Sequence, residues 1–326
     1  MGQAFLILTR TEVESLVSLP DAIPAVEEAF RALAGGQAFL FPTIRERIEP
    51  YGGFFGVKAG YLASRGYLGY KGGGFWASNR EKGLAGHQSV ILLYQPETGV
   101  PVAAVDGNYL TVIRTGAAGA IAARCLARKD SRRVAVIGAG VQGNIQLAGL
   151  REVLPIEEVR SYDAQEQSNH DFARRAVSQG LRATACATPR EAVEGADIVV
   201  TSTPSFRPIV EDDWIGPGTH INAFGSDTKG KQEISETLLG RAKVVVDYLP
   251  QAKELGECQH AFRTGVIHSV YAELGEILLG RKPGRESEKE ITLFDATGIA
   301  LQDLAVAARA YEAALERDVG TRLQLD

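Results

Sequence analysis

The chain has 326 residues, 45% of them hydrophobic and 23% charged, and a formal net charge of −5, a length that suits two domains with a core each. An acidic balance with no Lys/Arg run among aromatics speaks against a nucleic-acid partner, and no window approaches the roughly 18 apolar residues of a membrane span. Three cysteines, Cys125, Cys186 and Cys258, without CxxC spacing argue against a disulfide framework and a cysteine metal site, so no metal is expected and a reducing, cytoplasmic setting is.

The N-terminal stretch of residues 1–8 has no basic region ahead of its apolar run, and Arg10 and Glu12 follow at once, unlike a signal peptide. Ile23, Val26, Ala29, Phe30 and Leu33 recur at helical spacing, predicting a helix over 21–33 with Asp21 as its cap and Gly35-Gly36 as its stop. From 41 to 107 the texture changes to short β-type runs broken by glycine, at 54–57, 67–71, 89–94 and 102–105. The last two, joined through Pro96-Glu97-Thr98-Gly99, read as an antiparallel hairpin. An alanine-rich helix over 111–126 follows. Beyond 133 strands and helices alternate, with strands starting at Val134, Val159, Ile198, His220, Val244 and Ile291, the pattern of a doubly wound parallel sheet. The charged stretch 281–290 reads as a solvated loop. A last helix over 301–316 is expected to rejoin the first domain, so the predicted division is 1–112 completed by 306–326, and 113–305.

The strand at 134–137 runs directly into Gly138-Ala139-Gly140-Val141-Gln142-Gly143. In a dinucleotide-binding turn the first glycine allows the tight bend, the second admits a pyrophosphate to backbone amides, and the third lets the helix pack on its strand. Asp163 stands 20 residues beyond Gly143, after a second apolar strand, where a carboxylate accepts from ribose hydroxyls and repels a 2'-phosphate. NAD(H) is therefore the expected cofactor, with Gly138, Gly140, Val141, Gln142, Gly143 and Asp163 around it.

Further segments carry a resemblance. They are Arg45 in Phe41-Pro42-Thr43-Ile44-Arg45, Gly69-Tyr70-Lys71, Gly86-His87-Gln88, Leu110-Thr111-Val112-Ile113-Arg114-Thr115, Asp227 with Gly230-Lys231 and Glu233, Gly256-Glu257, and Phe294-Asp295-Ala296-Thr297-Gly298-Ile299-Ala300 with Asp303. With the glycine-rich turn, these make nearly the whole chain resemble the ornithine cyclodeaminase/μ-crystallin family. The resemblance implies an α/β fold: a Rossmann-type doubly wound NAD-binding domain plus an α+β domain that binds substrate and forms a homodimer through its antiparallel sheet. It also implies that Arg45, Lys71 and Arg114 face a small imino or amino acid, with Asp227 near its nitrogen. Thr203 and Thr297 complete the expected cofactor set, the Thr297 hydroxyl standing where many members have a serine. Lys58 in Gly56-Val57-Lys58-Ala59, Gly72-Gly73-Gly74-Phe75-Trp76-Ala77-Ser78-Asn79 and Gly256-Glu257-Cys258-Gln259-His260 resemble imino-acid reductases more than cyclodeaminases.

An imino acid offers a carboxylate and a reacting C–N bond. Arg114 suits a two-point grip on the carboxylate, its plain alternative being a surface arginine at a helix start. Lys71 precedes three glycines that let backbone approach a ligand, against the alternative of a solvated strand-end lysine. Lys71 and Asp227 are the candidate catalytic groups, Asp227 stabilising a protonated imine rather than capping a turn. His87 and His260 are candidate proton donors, though a lone histidine is more often simply packed; His87 is also grouped with Arg45, Lys58 and Arg114 as substrate-binding. Glu257 is read as fixing a loop or the dinucleotide. A further lysine at 58 is electrostatically wasteful unless a second carboxylate arrives, which favours iminosuccinate, reduced to L-aspartate. Ornithine cyclodeamination, alanine dehydrogenation and non-enzymatic binding of a small ligand are the alternatives.

Overall fold

A computed structural model describes residues 4–325, Arg80 by its backbone alone; Met1, Gly2 and Gln3, part of the stretch read for a leader, lie outside the described residues. The chain divides into two compact units, Met1–Arg114 with Ile299–Asp326, and Thr115–Gly298.

The first unit opens with β1 (Ala4–Leu8), α1 (Arg10–Leu16) and α2 (Leu19–Ala34). Ser18 caps α2: its Oγ accepts from the Asp21 amide while the Asp21 carboxylate takes the Ser18 amide at 3.0 Å. Asp21 is thus the reciprocal member of a capping box rather than the cap itself, because Pro20 already occupies the first turn. Next come β2 (Ala38–Leu40), β3 (Ile44–Ile48), β4 (Gly53–Leu62), β5 (Tyr67–Trp76), β6 (His87–Tyr94) and β7 (Pro101–Asp106). The glycines do not break β4 and β5, which are unbroken strands of 10 residues each. Helix α3 (Gly107–Leu126) starts earlier than its alanine content suggests, since the Asp106 carboxylate accepts from the Tyr109 amide at 3.1 Å.

The second unit alternates β8 (Arg133–Ile137), α4 (Val141–Val153), β9 (Glu158–Tyr162), α5 (Glu166–Ser178), β10 (Arg182–Ala185), α6 (Pro189–Val193), β11 (Ile198–Thr201), β12 (Phe206–Val210), β13 (His220–Ala223), β14 (Gln232–Ile234), α7 (Glu236–Arg241), β15 (Lys243–Val246), α8 (Leu249–Leu255), α9 (Cys258–Thr264), β16 (Ala272–Glu273), α10 (Leu274–Leu278) and β17 (Thr292–Asp295). Eight strands form one sheet in the order β10-β9-β8-β11-β13-β17-β15-β16, every pairing parallel. The central strands β11, β13 and β17 are buried on both faces, as a doubly wound sheet requires. The 281–290 segment is not simply solvated: Arg285 is half-buried and donates to the carbonyls of Leu126, Ser287 and Glu290, and Lys243 pairs with Glu286.

The chain then returns to the first unit as α11 (Ala300–Arg317) and β18 (Thr321–Gln324). The return comes at Ile299 and not at 306, because α11 is one continuous helix with Leu301, Leu304, Ala305 and Ala308 all buried. The first unit's sheet runs β18-β1-β7-β6-β5-β4-β2, with β3 also on β4. It is antiparallel apart from the β1–β7 pair. Gly60 and Gly69 sit opposite each other under α11. A Cβ on Gly69 would lie 2.3 Å from the Leu92 carbonyl and 2.9 Å from Leu304 Cδ2, and one on Gly60 3.2 Å from Leu301 Cδ2. Glycine is what lets the helix dock this close. Among the described residues no helix is long and apolar enough to cross a membrane.

Candidate active site

Side chains alternate along β4, β5 and β6, so register decides which of them meet. Lys58 pairs with Lys71, Gly56 with Gly73 and with Arg45, Lys71 with Ile91, and Phe75 with His87. Arg45, Lys58, Lys71 and His87 therefore share one sheet face, the face that α11 covers. Lys71 is not a strand-end lysine: it lies mid-strand and is 8% exposed. Its Nζ donates to Asp303 Oδ1 at 2.9 Å and to Thr111 Oγ1 at 3.2 Å. Arg114 is not at a helix start either, but on the second turn of α3 and buried. Its Nε donates to the same Asp303 oxygen at 3.0 Å and its Nη1 to Gln302 Oε1 at 3.0 Å. The Arg45 guanidinium lies over the Phe54 ring, 5.8 Å from its centroid.

Burial pushes the Lys71 ammonium down to about 7, with Arg114 and Lys58 adding to the fall and Asp303 opposing it. Burial would raise the Asp303 carboxyl, but Arg114, Lys71 and Lys58 hold it below its usual range. His87 falls to about 4 through burial and through Lys71 and Arg114. It is neutral near pH 7, so the expected role as a protonated donor does not suit it; hydrogen bonding does.

In the second unit the glycine-rich turn bends as anticipated. Gly138 has φ 98°, a left-handed value open to glycine. A Cβ at Gly143 would stand 2.2 Å from the Gly138 carbonyl oxygen, which fixes glycine at the helix–strand contact. At Gly140 a Cβ would meet nothing within 4 Å, and α4 starts at Val141 with no side chain capping it. The amides of Val141, Gln142 and Gly143 thus open onto a cradle that fits a pyrophosphate. Asp163 follows β9; its Oδ2 accepts from the Ala139 amide and its Oδ1 from the Gln165 amide, both at 2.8 Å, which ties the turn to the strand end. The Thr203 amide donates to Glu233 and its Oγ1 accepts from the Ser205 amide. The Thr297 hydroxyl donates to Asp247 at 2.8 Å and accepts from Gln251 at 2.7 Å, so it has no proton left to give a ligand.

Asp227 lies in this unit, on the segment after β13, in an ion pair with Lys231 at 2.8 Å. His260 has the plain role. Arginine only donates, so Nδ1 accepts from Arg263 at 3.1 Å and Nε2 donates to the Lys231 carbonyl at 2.9 Å, which sets the tautomer. Glu257 fixes a loop, its two oxygens taking the Glu233 and Ile234 amides. It belongs to a set of buried carboxyls bracing the loops at this sheet edge. Asp295 takes the Glu257 and Cys258 amides, and Asp247 takes the Gly298 amide at 2.6 Å. Burial raises Asp295 to about 7 and Glu257 well above the ordinary carboxyl range. Among the described residues no three His, Cys, Asp or Glu side chains gather as metal ligands, and no cysteine forms a disulfide.

Sequence reasoning assigned no role to Thr111, Gln302 and Asp303. One signal was present: Asp303 is a charged residue inside an otherwise apolar helical run, and a buried charge needs partners.

Comparison with known proteins identifies the family and the fold. The model of the ornithine cyclodeaminase/mu-crystallin family matches residues 4–318. An alanine dehydrogenase of Archaeoglobus fulgidus is 44% identical, over 98% of this chain and 98% of its own. The iminosuccinate reductase of Paracoccus denitrificans is 37% identical, over 98% and 100%. Among solved structures, an archaeal alanine dehydrogenase dimer with bound NAD has a TM-score of 0.94 at 44% identity, over 99% of this chain and 100% of that one. The Thermococcus litoralis Δ1-pyrroline-2-carboxylate reductase with NADH and L-proline has a TM-score of 0.94 at 36% identity, over 98% and 100%. The Paracoccus denitrificans iminosuccinate reductase with NAD+ has a TM-score of 0.92 at 36% identity, over 100% of both. The chain belongs to the ornithine cyclodeaminase/mu-crystallin family.

Proposed function

We propose that this protein is an NAD(H)-dependent reductase of α-imino acids, able to run in reverse as an amino-acid dehydrogenase, and that its substrate is iminosuccinate, reduced to L-aspartate. The carrying observation is that Lys71 and Arg114 converge on one oxygen of Asp303, with Lys58 opposite Lys71 on the same sheet face. Lys71 has three donors, of which Thr111 and Asp303 use two. Arg114 Nη2 has no partner among the described residues. One ammonium hydrogen and one guanidinium edge thus suit a carboxylate. Lys58 and Arg114 both act on Lys71 at this face, and so cation-rich a face suits a substrate that carries a second carboxylate.

Bound NADH supplies the hydride that reduces the C=N carbon. Gly138, Gly140, Val141, Gln142 and Gly143 hold the pyrophosphate, Asp163 disfavours a 2'-phosphate, and Thr203 and Thr297 line the cofactor, Thr297 only as an acceptor. Arg45, Lys71 and Arg114 orient the substrate carboxylate, and His87 contributes a neutral hydrogen bond. Lys71, pushed down to about 7, can pass the one hydrogen it offers the substrate to the imine nitrogen while the carboxylate rests on Arg45 and Arg114. The family resemblance gives Asp227, paired here with Lys231, the role of stabilising a cationic nitrogen. Alanine dehydrogenation is the second reading, favoured by the 44% identity with the Archaeoglobus fulgidus enzyme.

The first unit's other sheet face carries Phe39, Ile44, Phe55 and Val90, 54%, 55%, 44% and 42% exposed, with stacked pairs Phe39–Tyr61 and Tyr70–Tyr94. So broad an apolar face suits a homodimer interface. The test of function is NADH and NADPH oxidation with ammonia across oxaloacetate, pyruvate, glyoxylate and cyclic imines. NADH with oxaloacetate should give the highest kcat/KM. Preference for pyruvate makes the enzyme an alanine dehydrogenase, ammonia release from ornithine with catalytic NAD makes it a cyclodeaminase, and binding without turnover makes it a binding protein.

A further inference from the structure

Asp303 is fully buried near the start of α11, and Gln302 beside it is 1% exposed. A single Asp303 oxygen receives Lys71 Nζ at 2.9 Å and Arg114 Nε at 3.0 Å. Gln302 receives Arg114 Nη1 at 3.0 Å. Because a guanidinium only donates, the Gln302 amide must present its oxygen to Arg114 and leave its nitrogen elsewhere. That Nε2 and the second Asp303 oxygen are both buried and have no hydrogen-bond partner among the described residues. Buried groups of this kind ordinarily take a hydrogen-bond partner. Two consecutive residues of one helix therefore fix the guanidinium at two nitrogens and the ammonium at one, and Gly60 and Gly69 set how close that helix stands.

We infer that Asp303 and Gln302 are the positioning pair of the substrate site: Asp303 holds Lys71 and Arg114 at a set separation and keeps the Lys71 ammonium charged, while Gln302 fixes the guanidinium plane. This rests on reading the face as a carboxylate site. The groups that face Lys71 are Lys58 from β4, His87 from β6, Thr111 and Arg114 from α3, and Asp303 from α11. Lys58 and Arg114 disfavour its charge, His87 is neutral, and Asp303 is the one carboxylate among them. Neither Asp303 nor Gln302 need touch the reacting atoms.

Asp303→Asn keeps the shape and removes the charge. In NADH oxidation with oxaloacetate and ammonia, the ratio of variant to wild-type kcat/KM at each pH cancels the protonation of the imine itself. Lys71 should lose its proton at lower pH in the variant, so that ratio should fall from about one-tenth at about pH 6 to about one-hundredth at about pH 8. NADH affinity, read by fluorescence, should not change. Gln302→Met should raise KM for oxaloacetate about tenfold without tilting the pH dependence. A ratio constant across pH, or NADH affinity falling in step, overturns the proposal. Should Asp303→Asn fail to fold, Thr111→Val removes the other Lys71 acceptor and should tilt the ratio in the same direction by a smaller amount; a flat ratio again overturns it. A wild type inert with every keto acid instead removes the functional reading, and the same variants are then compared by calorimetric binding of succinate across the pH range, where the same tilt is required.

Discussion

Lys58 and Lys71 are direct cross-strand neighbours on one face, an arrangement that repels unless anions intervene. Asp303 answers Lys71 and Arg114 within the protein, and a dicarboxylate substrate would bring further negative charge to this face. Lys58→Met should therefore lower kcat/KM for oxaloacetate plus ammonia by a charge-assisted contact of about 1.5–3 kcal/mol and spare pyruvate plus ammonia. An equal fall with both keto acids would mean that Lys58 serves the fold or the shared carboxylate, and iminosuccinate would lose its support. The low Lys71 value makes a second prediction. A lysine depressed by burial is charged below about 7 and neutral above it, so inhibition by succinate should be strongest on the acid side and fade as pH rises through that value. Lys71→Arg keeps its charge throughout and should flatten the dependence; an unchanged slope would assign the titration to another group.

Close docking by glycine recurs in the two units, with separable consequences. Gly69→Ala would press a methyl against the Leu92 carbonyl and Leu304, displacing α11 and with it Asp303. A loss of about 1–3 kcal/mol of stability is expected, together with weaker succinate binding and unchanged NADH affinity. Gly143→Ala, whose methyl meets the Gly138 carbonyl at the turn, should do the reverse: NADH affinity falls while succinate binding persists. Calorimetry with each ligand on each variant checks this, and a joint loss in either variant would show that the two elements do not act separately. Much of this was legible in sequence. The turn from Gly138 to Gly143 and the strand–helix alternation are local patterns, and both appear where their periodicity put them. The glycines of β4 and β5 were misread as breaks because a glycine that permits close packing and one that ends a strand look alike until the packed helix is seen.

Across the whole molecule, the apolar face around Phe55 and Ile44 is the feature with the widest reach. Ile44→Lys combined with Phe55→Lys places two ammonium groups on it and should convert the proposed homodimer into a monomer in light scattering, with NADH affinity of the second unit retained. An oligomer of unchanged mass would move the interface elsewhere.

The amino-acid order alone determined the doubly wound sheet and the glycine-rich turn with Asp163, because period and glycine spacing are written within a few neighbouring positions, while the family resemblance singled out Arg45, Lys58, Lys71 and Arg114 as candidate substrate-facing cations. Tertiary structure decided what those cations meet. Asp303 is 232 residues from Lys71 and 189 from Arg114, and it reaches them only through strand register and the docking of α11. The same long-range packing made His260 a packed, hydrogen-bonded residue, committed the Thr297 hydroxyl to Asp247, and held His87 neutral. Charge pairing and desolvation depend on which groups share a buried volume, and that is set by the assembled chain rather than by any window along it.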